Sequence, residues 1–254
     1  RTTNGGTSWT VVSTNAIPWL YAVTFTTASK GYAVGDYFIC KTTNAGATWD
    51  TLRLVTGRRL YAIHFADQNT GYAAGDGGSI FKTTNGGTSW IDVSISSTPT
   101  FYAVYTVDAN TAFVGGGSFS GVFLKTTDGG ATWNAAPSPG SGSIAALFFC
   151  SAQTGYAGVG SSISRTTNGG AAWTPQYTDP INAVAAVAVH SSGSGFAVGS
   201  NGLLLKTTNG STWSSLFSTI GNDQLQSVFF LDANTGFISA SGRILKSTNA
   251  GGTW

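Results

Sequence analysis

Glutamate and methionine are absent from this chain of 254 residues, and charged side chains make up only 9% of it. Without Glu, a Tyr/Glu nucleophile pair or a Glu general acid is excluded. The formal net charge of +2 is too small for a nucleic-acid footprint, and no useful Lys/Arg run exists. Cysteine is limited to Cys40 and Cys150, three repeats apart, beyond the roughly 7 Å Cα reach of a disulfide. Both read as small buried hydrophobes, so this is no disulfide scaffold. No apolar run approaches the roughly 18 residues of a spanning helix, and no membrane span is expected. No apolar stripe recurs at helical spacing. No signal peptide or initiator Met is present, which points to a mature, trimmed or partial chain. Gly, at 35 residues, and abundant Thr, Ser and Asn supply solubility instead of charge. Few charges and many short strands suit an exported β protein, so an extracellular, cell-surface or periplasmic location is expected.

What fills the chain is one phrase, Thr-Thr-Asn-Gly-Gly-Thr-Ser-Trp, first met at Thr2 to Trp9. It returns six more times with small edits. Its Trp residues are Trp9, Trp49, Trp90, Trp133, Trp173, Trp213 and Trp254, spaced 40, 41, 43, 40, 40 and 41 apart. A period near forty with strand-rich filling is the signature of a propeller or a comparable array. The uninterrupted repeat predicts a single domain over residues 1–254.

Each repeat has the same grammar. After Trp49, residues 50–55 predict a short outer strand and residues 60–65 (LYAIHF) an apolar inner strand. Asp67 to Gly71 is a turn, with Gly71 where a left-handed residue is expected. Tyr72 to Gly75 is a second strand, Asp76-Gly77-Gly78 a tight turn, and Ser79 to Thr83 a third strand running into the phrase. The inner strand recurs at 20–25, 101–106, 144–149, 183–189 and 225–230. Hairpin-linked strands with one outer strand per repeat are the blade of an all-β, four-stranded antiparallel propeller.

The phrase resembles the Asp-box, Ser-x-Asp-x-Gly-x-Thr-Trp, or BNR repeat. Thr2, Asn4, Gly6, Ser8 and Trp9 match it, as do Ser247, Asn249, Gly251, Thr253 and Trp254. GYAVGD followed by KTT(N/D)GG(A/T)TW is most similar to the photosystem II stability/assembly factor-like propellers, over essentially the whole chain. The resemblance implies that each phrase is a turn between a blade's third and fourth strands. Asn4, Asn44, Asn85, Asp128, Asn168, Asn209 and Asn249 then fix the turn, and the Trp of each copy wedges against the neighbouring sheet. Six copies carry Asn where Asp is usual, which argues against metal there. Six inner strands but seven phrases leave two counts open: seven blades with one incomplete, the usual number for such propellers, or six.

The loops leading into the inner strands vary most between repeats, and variable loops on a rigid scaffold are where binding lives. They share one face with the turns between second and third strands. Trp19, the only Trp outside the phrase, is either a plug over the inner strands or a platform for a sugar or protein. Arg58 and Arg59 are adjacent, with Arg53 nearby; they read as solvated loop charge or as the docking patch of arginines that the resemblance implies. Tyr21, Tyr61, Phe101 and Tyr102 begin inner strands on the same face. Asp36 and Asp76 occupy matching turns, which turn chemistry explains. Asp179 and Asp223, on lead-in loops of neighbouring repeats, are the best carboxylate pair for acid–base chemistry. His64 and His190 lie three repeats apart and suggest no zinc site. No phosphate loop or ordered nucleophilic triad appears, and no cofactor or metal is expected.

The expected function is non-catalytic: a scaffold presenting variable loops to a protein or glycan partner, perhaps within a larger multidomain or assembled surface protein. The alternatives are a glycoside hydrolase of the Asp-box type and a photosystem assembly factor.

Overall fold

A computed structural model describes residues 1–12, 19–53, 57–96, 99–190, 192–216 and 221–254. They form six antiparallel sheets with the topology of propeller blades, which is the six-bladed alternative. Five sheets have four strands and one has three. In the first sheet β1 (Leu20–Phe25), β2 (Gly31–Gly35), β3 (Phe38–Thr42) and β4 (Asp50–Arg53) pair in chain order. The second follows with β5 (Leu60–Phe65), β6 (Gly71–Gly75), β7 (Ile80–Thr83) and β8 (Ile91–Asp92), and the third with β9 (Phe101–Thr106), β10 (Ala112–Gly116), β11 (Val122–Thr126) and β12 (Asn134–Ala135). The fourth comprises β13 (Ile144–Phe149), β14 (Gly155–Val159), β15 (Ser162–Thr166) and β16 (Thr174–Thr178). The fifth comprises β17 (Val184–Val189), β18 (Gly195–Gly199), β19 (Leu204–Thr207) and β20 (Ser214–Ser215). The last has β21 (Leu225–Phe230), β22 (Gly236–Ala240) and β23 (Arg243–Ser247). The first copy of the phrase makes its turn but no strand; Arg1 and Thr10 close it with reciprocal 2.8 Å bonds. Of the expected outer strand at 50–55, residues 54 and 55 lie outside the described residues. No helix among the described residues is long and apolar enough to cross a membrane.

Contacts gather the chain into two units, residues 1–116 with 124–135 and residues 117–123 with 136–254. The first is built on Tyr32, Val34, Ile39, Leu60, Ile63, Phe65, Ala73 and Phe81. The second holds one cluster around Tyr156, Ile163, Val184 and Leu205 and another around Phe196, Leu204, Leu225 and Ile238. The second strands of the first five sheets are buried on both faces, because small and large residues alternate in GYAVG and its variants, while β22 is partly exposed.

Each phrase is a side-chain-built turn. In the second copy the Thr42 hydroxyl donates to Asn44 Oδ1 at 2.9 Å and accepts from Gly46 N–H at 3.0 Å. Asn44 Oδ1 also accepts from Thr48 N–H at 2.9 Å. In the fourth copy Asp128 accepts from the Thr132 hydroxyl and N–H, and these bonds hold its pKa down at about 2. The second glycine position of the turn needs positive φ, as at Gly87 (φ 70). Gly87 also lies under the Tyr32 ring of the preceding sheet, where a Cβ would meet ring carbon at 2.5 Å. The Trp rings then stand edge-on to aromatic residues: Trp133 to Tyr72 at 5.8 Å, Trp213 to Tyr156 at 6.2 Å, and Trp254 to Phe196 at 6.0 Å.

Gly71 departs from expectation. It has no positive φ; the Phe65 ring lies over it, 2.6 Å from any added Cβ. Close approach, not left-handed backbone, requires glycine there. The turn itself is fixed by Asp67, whose carboxylate accepts from Asn69 and Thr70 N–H groups at 2.6 and 2.7 Å. Both cysteines are free; Cys40 is buried and Cys150 half-buried.

Candidate functional site

Within the first unit, the lead-in loops and the turns between second and third strands meet at one edge. The last glycine of the second strand makes this possible. At Gly75 a Cβ would collide with the Arg59 carbonyl, so the loop backbone can settle there and Asp76 N–H donates to Arg59 C=O at 2.9 Å. The same contact joins Asp36 N–H to Trp19 C=O at 3.1 Å. A register shift between Leu60 and Ala62 follows, which turns Leu60 fully into the core and leaves Tyr61 half-buried.

This edge carries a ladder of tyrosines. Tyr21 and Tyr61 have ring centroids 4.8 Å apart, and Tyr61 and Tyr102 are 5.5 Å apart. Tyr21 and Tyr102 are each more than two-fifths exposed, and Trp19 is 65% exposed. Trp19 is therefore no plug. Phe101, by contrast, is completely buried and cannot reach a partner; only its neighbour Tyr102 faces out.

Two carboxylates, expected only to shape turns, organise the ladder. Asp36 is buried, yet Oδ1 accepts from the Tyr21 hydroxyl and from Arg59 Nε, both at 3.1 Å. Asp76 Oδ2 accepts from the Tyr61 hydroxyl at 3.4 Å and Oδ1 from the Thr100 hydroxyl at 3.3 Å. Burial, then the Asp36 carboxylate, raises the Tyr21 pKa, so the hydroxyl stays a donor. Desolvation likewise raises Tyr61, opposed by Arg59. Arg59 in turn is held more firmly charged, first by Tyr61 and then by Tyr21 and Asp36. Arg58 donates to the Gly77 carbonyl. The side chain of Arg53 lies outside the described residues. Two arginines and two aspartates share this edge, so the expected basic patch is locally neutral.

In the second unit the expected carboxylate pair is spent on loop structure. Asp179 is buried and accepts from Ile181 N–H at 2.9 Å, Asn182 N–H at 2.7 Å and the Tyr177 hydroxyl at 3.3 Å. Burial pushes its pKa up, but these bonds outweigh it and the net shift is downward. Asp223 pairs with Arg243, whose Nε and Nη2 lie 2.7 and 2.5 Å from Oδ2. Asp179 therefore does not resemble a general acid, whose pKa must be raised. His64 is surrounded closely enough to pull its pKa down to about 4, and its Nδ1 accepts from Thr106 N–H at 3.1 Å. Among the described residues no group of three or more His, Cys, Asp or Glu could hold a metal.

Sequence reasoning missed Asp36 and Asp76 as organisers of the edge. The available signal was their matching place in GYAVGD and GYAAGD beside the LY and FY pairs.

Fold and repeat define the class: a β-propeller of BNR repeats. Residues 2–176 match the family model described as Photosynthesis system II assembly factor YCF48, and the chain belongs to that family. No curated protein matches it in sequence. Among solved structures, "YCF48 bound to D1 peptide" is similar at 20% identity and a TM-score of 0.74, covering 96% of this chain and 81% of that one. YCF48 from Cyanidioschyzon merolae is similar at 19% identity and 0.74, covering 96% and 86%. The GH74 enzyme of Niastella koreensis gives 18% and 0.77, but only 45% of that chain is covered. At these identities the likeness establishes the fold. The family match overturns the expected extracellular, cell-surface or periplasmic location: the family is that of an assembly factor for a photosynthetic complex.

Proposed function

We propose that this protein is a non-catalytic propeller that binds a protein partner through the loop edge carrying Trp19, Tyr21, Arg58, Arg59, Tyr61 and Tyr102. The observation that carries this reading is the tyrosine ladder. Three rings stand in register, Tyr21 and Tyr102 exposed and Tyr61 half-buried between them, and the hydroxyls of Tyr21 and Tyr61 are tied to fixed carboxylates, which gives contact area at little entropic cost. Membership of the assembly-factor family favours a photosystem II polypeptide over a glycan as the partner. A neighbour in that family was solved with a D1 peptide, which supplies the probe. A hydrolase reading is disfavoured because Asp179 and Asp223 are both committed to loop bonds.

Calorimetric titration with a D1 peptide tests the reading. The Trp19→Ala/Tyr102→Ala double variant should bind at least about tenfold more weakly than the unaltered chain, the loss of two aromatic anchors. Asn4→Ala, in the repeated turn, should bind normally. Equal affinity in the double variant, or no binding by the unaltered chain, would remove the reading.

A further inference from the structure

Arg59 and Thr100 hold the same position in successive repeats, immediately before Leu60 and Phe101. Each reaches the aspartate of the preceding sheet. Arg59 covers Asp36, which is buried and ion-paired, and its guanidinium sits beside the hydroxyls of Tyr21 and Tyr61. Thr100 is too short to do the same for Asp76. Among the described residues that carboxylate receives two long hydroxyl bonds, 3.3 and 3.4 Å, and it keeps solvent-accessible surface. No cation lies within ion-pair distance of it among the described residues. Arg58, on the same lead-in loop as Arg59, donates to the Gly77 carbonyl instead. Tyr61, which bonds Asp76, has Tyr102 as its outer neighbour, and this is the wider-spaced pair of the ladder at 5.5 Å against 4.8 Å.

From this internal comparison we infer that Asp76, Tyr61 and Tyr102 form a binding subsite for a basic side chain of the partner, an arginine by analogy with Arg59. The inference rests on the proposed binding edge and names what that edge selects. A carboxylate offers about four acceptor sites and pairs with a guanidinium in bidentate fashion. Two tyrosine faces add cation–π attraction. The chain's own Arg59 pairs with Asp36 beside the hydroxyls of Tyr21 and Tyr61 one repeat earlier. The subsite thus takes up positive charge, the opposite of what an arginine patch would select.

The test uses the full chain and the tripeptide amide acetyl-Gly-Arg-Gly, with its citrulline counterpart, followed by NMR. The arginine peptide should shift the ring signals of Tyr61 and Tyr102 saturably, leave Tyr21 unmoved, and bind at least tenfold more tightly than the citrulline peptide. Asp76→Asn should weaken it at least tenfold. Thr100→Arg should abolish it by supplying the cation from within, without lowering the thermal midpoint; this separates blockade from misfolding. Equal binding of both peptides, shifts that bypass Tyr61 and Tyr102, or unchanged binding by Asp76→Asn would overturn the inference. Titrating the D1 peptide against Asp76→Asn separates the two claims. Loss of binding in Trp19→Ala/Tyr102→Ala with none in Asp76→Asn leaves the edge standing and removes the basic subsite. Arginine-peptide binding at Asp76 with no D1 affinity removes the partner and keeps the subsite.

Discussion

Lys82 reaches from its own strand to the turn of the next repeat, its Nζ 2.7 Å from the Gly129 carbonyl, while lying over the Tyr72 ring 5.6 Å from the centroid. Lys206 repeats the arrangement with the Ala250 carbonyl at 2.9 Å and the Phe196 ring at 5.5 Å. A cation in the third strand, an aromatic in the second and a turn carbonyl of the following repeat thus make one clasp.

Removing the clasp at one place should therefore loosen one junction. Lys82→Met keeps the stem and deletes the donor. It should cost about 1–2 kcal/mol, the worth of a hydrogen bond from a charged group with part of its solvation returned. Urea unfolding would measure it; a value within error of zero would show the lysine to be ornamental.

Gly87 and Gly57 separate strain from collision. Both have positive φ, 70 and 63, but a Cβ at Gly87 meets the Tyr32 ring while Gly57 has nothing within 4 Å. Gly57→Ala should cost about 1 kcal/mol, the left-handed penalty alone. Gly87→Ala should cost at least about twice that, since ring and backbone must both shift. Equal losses in thermal denaturation would mean the ring yields freely.

Trp213 is nine-tenths buried and stands edge-on to Tyr156. Trp213→Ala should destabilise by about 3–5 kcal/mol. Trp9, half exposed in the first copy of the phrase, should tolerate the same change with a much smaller loss. Chemical denaturation of the two variants side by side would check the contrast.

Acid should weaken the fold through His64 before it reaches the carboxylates. The imidazole pKa falls from 6.5 to about 4 on folding, so below pH 6.5 the unfolded chain takes up the proton first. Stability is unaffected by this residue above that point. It declines as pH drops toward 4, by up to about 3 kcal/mol. Asp67, Asp108 and Asp232 have folded pKa values below the usual carboxylate range, so their loss comes at lower pH. His64→Gln, which keeps an acceptor for Thr106 N–H, should flatten the pH 4–6.5 limb of a stability profile and leave the lower limb in place.

The inner strands were legible because each is bracketed by turn residues at fixed offsets, and five of the six expected spans coincide with strands to the residue. The sixth begins one residue later, at Val184. Tyr21, Tyr61 and Tyr102 could be picked out for a similar reason: the LY, LY, FY pairs sit at one register. What stayed hidden depends on neighbours in space. Asp36 looked like a turn residue because its cationic partner lies 23 residues on, in a different repeat. Gly71 looked left-handed because the ring above it belongs to another strand. Phe101 and Tyr102 looked equivalent because the register shift that sends one inward and the other outward leaves no mark in the letters.

The glycine beneath the aromatic ring has a genetic consequence. Tyr32 bonds the Gly86 carbonyl 54 residues ahead, and Tyr156 the Gly210 carbonyl at the same separation. Tyr72 over Gly130 and Phe196 over Gly251 repeat the ring-and-turn contact without the hydroxyl bond, so ring and turn are a lock and a key carried by adjacent repeats. An in-frame duplication or deletion of one period of about forty residues brings another copy of the same key under the same lock. Such a gene can lengthen or shorten by whole repeats while every remaining junction is rebuilt from parts it already encodes.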